Sequence, residues 1–256
     1  MLGQLYNTYK YHFRSMRKMM SEPKKKFIIA SMGRTGSTLL RSLLNSHSEI
    51  FCDSEIFMRK HHIPLLLPVI YLNGHSQKTK KHNASVYGLK VKEEQLSQEN
   101  KLNSGKFLQK LHSDGWKIIR LSRENRIKLA LSVYQAWRDN VFEVKAGTST
   151  KKISHINVEV DKLVDILNFH DKLYNRESKA LNGLPYLDLT FEKDLLISSA
   201  HQSTANKVFD YLELTHQSVS TEFKKKTDDN LRSLVKNYDE LENKLQYTKY
   251  AGFLCE

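Results

Sequence analysis

The feature that most constrains this chain is the apolar run Phe27-Ile28-Ile29-Ala30, which ends on Ser31 and passes through Gly33 and Gly36 into Leu39, Leu40, Leu43 and Leu44. A short apolar run bounded by turn formers reads as a buried strand. The leucines recur at helical spacing, and Ser37 and Thr38 are helix-start residues. The unit is therefore strand, glycine loop, helix. Further strands are predicted at residues 87–91, at 116–121 after the turn Asp114-Gly115, and at 186–191. Helices are predicted over 125–139, with Ile127, Ala130, Leu131, Tyr134 and Trp137 on one face, around Val160 to Tyr174, and over 204–214. A last helix carries Leu231, Leu234, Val235, Tyr238, Leu241 and Leu245. Residues 77–85 and 143–155 have loop composition. Strands alternating with helices predict an α/β fold: a P-loop-like three-layer sandwich with a mainly parallel central sheet flanked by helices.

Length and charge narrow what such a fold serves. The 256 residues suit one α/β domain, read here as residues 24–256, preceded by a basic, aromatic segment at 1–23. The N-terminal segment has no long apolar core, so neither a signal peptide nor a membrane span is expected, although contact with a membrane surface is compatible with it. Lys and Arg exceed Asp and Glu by 41 to 28, a formal charge of +13. That excess suits a polyanionic partner: nucleic acid, anionic lipid or a multiply phosphorylated small molecule. The two cysteines, Cys52 and Cys255, make no disulfide framework, no Cys/His cluster has zinc spacing, and a reducing, cytoplasmic location is expected.

The glycine loop is an anion site by construction. Backbone N–H groups at a helix start lack intrahelical partners, and the helix dipole favours negative charge there. Gly36 allows close approach of the backbone, Ser37 and Thr38 supply hydroxyls, and Arg34 supplies a permanent charge in a planar fork. The loop departs from G-x-x-x-x-G-K-[ST], because no lysine precedes Ser37. That argues against Mg-ATP chemistry. The end of the 116–121 strand is also basic, with Arg120, Arg123 and Arg126, and Ser132 lies in the next helix.

Arg34-Thr35-Gly36-Ser37-Thr38-Leu39-Leu40 resembles the 5′-phosphosulfate loop of carbohydrate sulfotransferases and related bacterial sulfotransferases. The resemblance extends over most of the chain from about Lys26. It implies a soluble enzyme that moves a sulfuryl group from 3′-phosphoadenosine-5′-phosphosulfate (PAPS) to a hydroxyl, on a carbohydrate or glycolipid, without a metal. It implies that Arg34 contacts the transferring group and that Thr35, Gly36, Ser37, Thr38 and Leu39 hold the 5′ side of the donor. Arg123 and Ser132 then bind its 3′-phosphate. The basic run at Lys224, Lys225 and Lys226 is similar to the family's nucleotide-closing loop, which assigns Lys225 and Lys226 to the donor. Phe191-Glu192-Lys193-Asp194-Leu195 is similar to the family's Tyr-Glu-x-Leu strand end, with Phe for Tyr.

Sulfuryl transfer needs a base for the acceptor hydroxyl. In related sulfotransferases a catalytic glutamate follows a short strand after the first helix, which points to Glu55. Its neighbours Ile56 and Phe57 are expected to raise its pKa. Asp53, Glu49 and His47 compete for the role, and His47 also suits a helix cap. Two other readings stay open at this stage: a P-loop nucleotide kinase-like phosphotransferase, and a non-enzymatic protein binding RNA or a sulfated polysaccharide. No nucleic-acid-binding fingerprint supports the latter, and a nucleic-acid partner is not expected. Residues 57–85 and 143–155 are expected to shape the acceptor pocket.

Overall fold

The computed structural model describes residues 23–58, 68–139, 156–223 and 230–254. The opening strand is β1 (Lys25–Ser31), followed by α1 (Ser37–Asn45) and β2 (Ile50–Asp53). Then come α2 (Pro68–Ser76), β3 (Val86–Lys92), α3 (Ser104–Ser113), β4 (Trp116–Ser122) and α4 (Arg126–Asp139). The remaining elements are α5 (Val160–Leu181), β5 (Leu187–Thr190), α6 (His201–Leu212), α7 (Leu231–Leu234) and α8 (Tyr238–Leu245). The five strands form one sheet in the order β2-β3-β1-β4-β5, and every pairing is parallel. The fold is thus an α/β sandwich with β1 at its centre.

Strand alternation divides the apolar residues of β1 between two layers. Phe27 and Ile29 pack with Leu40, Leu43 and Leu44 of α1 and with Val208, Phe209 and Leu212 of α6. Ile28 and Ala30 pack on the other face with Tyr71 and Leu72 of α2, Phe107, Leu108 and Leu111 of α3, and Ala180 and Leu181 of α5. A third cluster joins α4, the first turns of α5, α7 and α8 around Met32, just beyond the end of β1. A central strand buried on both faces explains why 27–30 is apolar without alternation.

Two elements were not foreseen. α3 begins where the Asn103 side chain accepts a hydrogen bond from Lys106 N at 2.9 Å, and α2 lies in the region predicted to shape the acceptor pocket. Three expectations need correction. Residues 77–82 form a 3₁₀ helix (Gln77–His82) rather than a loop, ended by Asn83 in the left-handed conformation at φ 51°. Trp137 is not on the buried face of α4: it is 60% exposed, in the last turn, bordering a cleft with Tyr134, Ile166 and Phe169.

The single last helix is two. Val235 is extended and bridges Ile156 in parallel, with Ile156 N donating to Leu234 O at 2.7 Å and Lys236 N to Ile156 O at 2.8 Å. The Asn237 side chain then clamps Val158, accepting from its N–H at 2.9 Å and donating to its carbonyl at 2.8 Å. Pairing with a distant segment overrides the helical periodicity. The predicted segments at 1–22, 143–155 and 224–229, which include the N-terminal arm, Lys225 and Lys226, lie outside the described residues.

Close packing at the sheet centre makes one glycine irreplaceable. Gly88 of β3 pairs with Phe27, and a Cβ there would sit 2.1 Å from the Phe27 ring. Overpacking of a rigid core costs about 1–3 kcal/mol. Gly88→Ala is therefore expected to lower the urea midpoint, and Phe27→Leu in the same chain to restore part of the loss. Strict additivity of the two changes would show that the ring is not what Gly88 accommodates.

Candidate functional site

The loop leaving β1 folds around two left-handed residues, Arg34 at φ 66° and Gly36 at φ 89°. Between them Thr35 is fully buried, and its hydroxyl donates to Met32 O at 2.9 Å, closing the turn. Leu40 N donates to Gly36 O at 3.0 Å, the first bond of α1. Among the described residues no side-chain cap is made at this helix start, and its first turn holds no acidic residue. The N–H groups of Ser37, Thr38 and Leu39 therefore open an anion-binding helix start toward the end of the sheet. Gly36 is required twice over. Its φ disfavours an L side chain, and a Cβ would lie 2.6 Å from the Phe191 ring. Leu39 is partly buried against the α1–α6 core, so it contributes only its backbone to that opening.

Arg123 and Ser132 meet this loop. Arg34 Nε donates to Ser132 Oγ at 3.0 Å, and Arg123 Nη1 donates to the Arg34 carbonyl at 3.3 Å. These residues come from the β1–α1 loop, from α4, and from the β4–α4 turn. The Arg123 guanidinium lies over the Phe191 ring, 4.8 Å from its centroid, and its Nε is 3.7 Å from Glu192 Oε1. Glu192 in turn accepts from the backbone N–H groups of Glu124 (2.9 Å) and Asn125 (3.2 Å), which fixes the turn that carries Arg123. The Phe191-Glu192 pair thus braces both loops. Arg120 and Arg126 are differently employed. Arg120 faces Glu177 (3.4 Å) and Asp188 (3.3 Å), and both guanidinium groups flank the Tyr174 ring.

The carboxylates near β2 separate by environment. Glu49 accepts from Ser85 Oγ at 2.7 Å. His47 is buried, with Nδ1 accepting from Glu49 N at 3.1 Å and Nε2 donating to Thr215 O at 3.0 Å, so both ring nitrogens serve the backbone. Asp53 is gripped by Lys78 Nζ (2.5 Å), His75 Nδ1 (3.3 Å) and the Tyr87 hydroxyl (3.3 Å). Burial alone would raise its pKa, but the bonds from His75 and Lys78 outweigh that and hold it well below the usual carboxylate range.

Glu55 is linked to the start of α1 through a shared lysine. Its Oε1 is 3.2 Å from Lys90 Nζ and its Oε2 3.0 Å from Lys92 Nζ, and Gln95 Nε2 donates to Oε2 at 2.8 Å. Lys90 Nζ also donates to Thr38 Oγ1 at 2.9 Å, so one ammonium joins Glu55 to the start of α1. The expected upward shift of Glu55 is overturned. Burial does push it up, but the charges of Lys92 and Lys90 prevail and lower its pKa.

Lys90 and Lys92 are members of the candidate site that sequence reasoning missed. Alternation along β3 puts them on the face of Val86 and Gly88, toward α1, and Lys90 is only 2% exposed. The signal was present in Leu89-Lys90-Val91-Lys92. A lysine inside an otherwise apolar central strand requires a buried counter-charge. Among the described residues, no group of three or more His, Cys, Asp or Glu side chains is gathered as a metal site.

No family model and no curated protein matches the chain. Among solved structures it is similar to a sulfotransferase from Alicyclobacillus acidocaldarius, at 12% identity and a TM-score of 0.48, over 91% of this chain and 93% of that one. Among the described residues, no helix is long and apolar enough to cross a membrane.

The Asp53 cluster carries a stability prediction with a definite sign. A depressed folded-state pKa contributes stability that is present above the unfolded pKa, about 3.9, and lost as pH falls through the folded value. Asp53→Asn is expected to cost about 2 kcal/mol at pH 7 by urea denaturation, in the range for breaking one member of a buried polar pair. The difference from wild type should shrink steadily below about pH 4. A difference independent of pH would assign the loss to packing rather than to charge.

Proposed function

We propose that the protein is a sulfotransferase that moves the sulfuryl group of PAPS to an acceptor hydroxyl, on a carbohydrate or glycolipid. The observation that supports this best is the convergence of Arg34, Arg123 and Ser132, from segments 89 and 98 residues apart, beside an uncapped helix start. PAPS carries phosphate at both the 5′ and 3′ positions, and two adjoining anion sites suit it. A single phosphate loop would not distinguish it from other nucleotides. The lysine that ATPases place before Ser37 is absent, which disfavours phosphoryl transfer from Mg-ATP.

On this reading the 5′-phosphosulfate lies on the N–H groups of 37–39 and the hydroxyls of Ser37 and Thr38. Arg123 and Ser132 take the 3′-phosphate, and Lys225 and Lys226 close over the nucleotide. The acceptor oxygen attacks sulfur in line with the departing phosphate oxygen. Arg34, Lys90 and Lys92 stabilise the charge that develops on the sulfuryl and leaving oxygens by fixed electrostatics, as in phosphoryl transfer. The acceptor proton goes to a carboxylate at this end of the sheet, and chain order favours Glu55.

Isothermal titration with adenosine 3′,5′-bisphosphate tests the donor assignment. Binding should be tight, and Arg123→Ala should weaken it at least tenfold, the loss of one charge-assisted contact of about 1.4 kcal/mol or more. Arg34→Ala should lower kcat for sulfation about 10²-fold, the scale for one preorganised transition-state donor. Absence of bisphosphate binding, together with magnesium-dependent ATP turnover, would replace the proposal by a phosphotransferase.

A further inference from the structure

The turn that carries Arg123 is held by two distant segments. One is Glu192, after β5, and the other is the last described turn of the chain, the 3₁₀ turn Ala251–Phe253. Both act on Asn125, two residues past Arg123 and only 1% exposed. Its backbone N–H donates to Glu192 Oε1 at 3.2 Å, its Oδ1 accepts from Lys128 N at 2.9 Å, and its Nδ2 donates to Phe253 O at 3.3 Å. The Oδ1 bond caps the first turn of α4. The Nδ2 bond spans 128 positions of the chain. Its far end is itself anchored. The Tyr238 hydroxyl of α8 donates to Leu254 O at 3.0 Å, and the Tyr250 hydroxyl donates to Asp171 Oδ2 of α5 at 2.6 Å, with Lys249 on the same carboxylate. Tyr250 and Leu254 share one apolar cluster with Met32, at the start of the glycine loop, and with Ile127 and Leu129 of α4.

We infer that Asn125 is a positioning residue of the donor site: it ties the turn at 248–254 to Arg123, so that seating of that turn and binding of the donor's 3′-phosphate favour one another. This rests on the sulfotransferase reading. An amide suits the position because it accepts and donates at once. A buried amide N–H left without an acceptor is destabilising, so when the turn lifts, the backbone around Asn125 has to shift to pair it again. Arg123, two residues away, shifts with it. The turn is closed by short-range bonds, Phe253 N to Tyr250 O at 3.0 Å and Leu254 N to Ala251 O at 3.1 Å, and such a segment opens more cheaply than a sheet buried on both faces. An anion that fixes Arg123 therefore stabilises the seated turn, and the seated turn raises affinity for the anion by the same factor. Asn125 touches neither the donor nor the reacting atoms in this scheme; it acts through Arg123.

The test uses the full chain and adenosine 3′,5′-bisphosphate. Asn125→Ser keeps a capping oxygen for Lys128 N but is too short to reach Phe253 O, so α4 should still form and the melting temperature should fall only slightly. The variant should weaken bisphosphate binding about fivefold, the scale of one neutral hydrogen bond. That loss should vanish in an Arg123→Ala background, because Arg123 is the route by which Asn125 reaches the ligand. In the wild type, saturating bisphosphate should slow amide hydrogen exchange at Phe253 and Leu254, and in Asn125→Ser this slowing should be lost. Additive losses in the double variant, unchanged affinity in Asn125→Ser, or exchange at 253–254 indifferent to the ligand would overturn the inference and leave Asn125 a helix cap alone. Should Asn125→Ser fail to fold, the wild-type exchange measurement decides. If the wild type does not bind the bisphosphate at all, it is the sulfotransferase reading that fails.

Discussion

The site depends on one contact: the Gly36 backbone lying against the Phe191 ring, at a distance no Cβ would permit. Around it the loop turns through two left-handed residues, and the next residue, Glu192, binds the backbone of the turn that carries Arg123. Neither loop is held by its own hydrogen bonds alone. Each is braced by the segment after β5, which brings together chain positions more than 150 residues apart. On the proposed reading the two loops must match one ligand at a fixed separation, and a shared brace would provide it.

Much of this was legible in the sequence, for identifiable reasons. β1 is buried on both faces, so its apolar run had no competing reading, and the glycine turn carries its own chemistry. Arg123 and Ser132 were singled out by resemblance to the sulfotransferase pattern, and the fold does bring both against Arg34. The failures share a cause as well. The break at Val235–Asn237 answers to Ile156 and Val158, and periodicity within a helix cannot report a partner eighty residues away. Trp137 keeps helical phase with Ala130, yet phase says nothing about where the neighbouring helix stops covering it.

Electrostatics was the least legible layer. Ile56 and Phe57 suggested an apolar setting for Glu55, but its environment is set by Lys90 and Lys92 on a strand that enters the sheet thirty-five residues later. The pKa of a buried group is decided by whichever charge the fold brings within a few ångströms, and sequence neighbours rarely supply it.

Lys90 has a further consequence. Its ammonium serves Thr38 in the first turn of α1 and Glu55 at once, from inside a strand where water cannot substitute for it. Substitutions at the three positions are therefore not independent in evolution. A chain that lost Lys90 would leave Glu55 to Lys92 and Gln95, whereas one that lost Glu55 would take a carboxylate from beside a buried ammonium. Replacement at this trio is therefore expected to come in pairs.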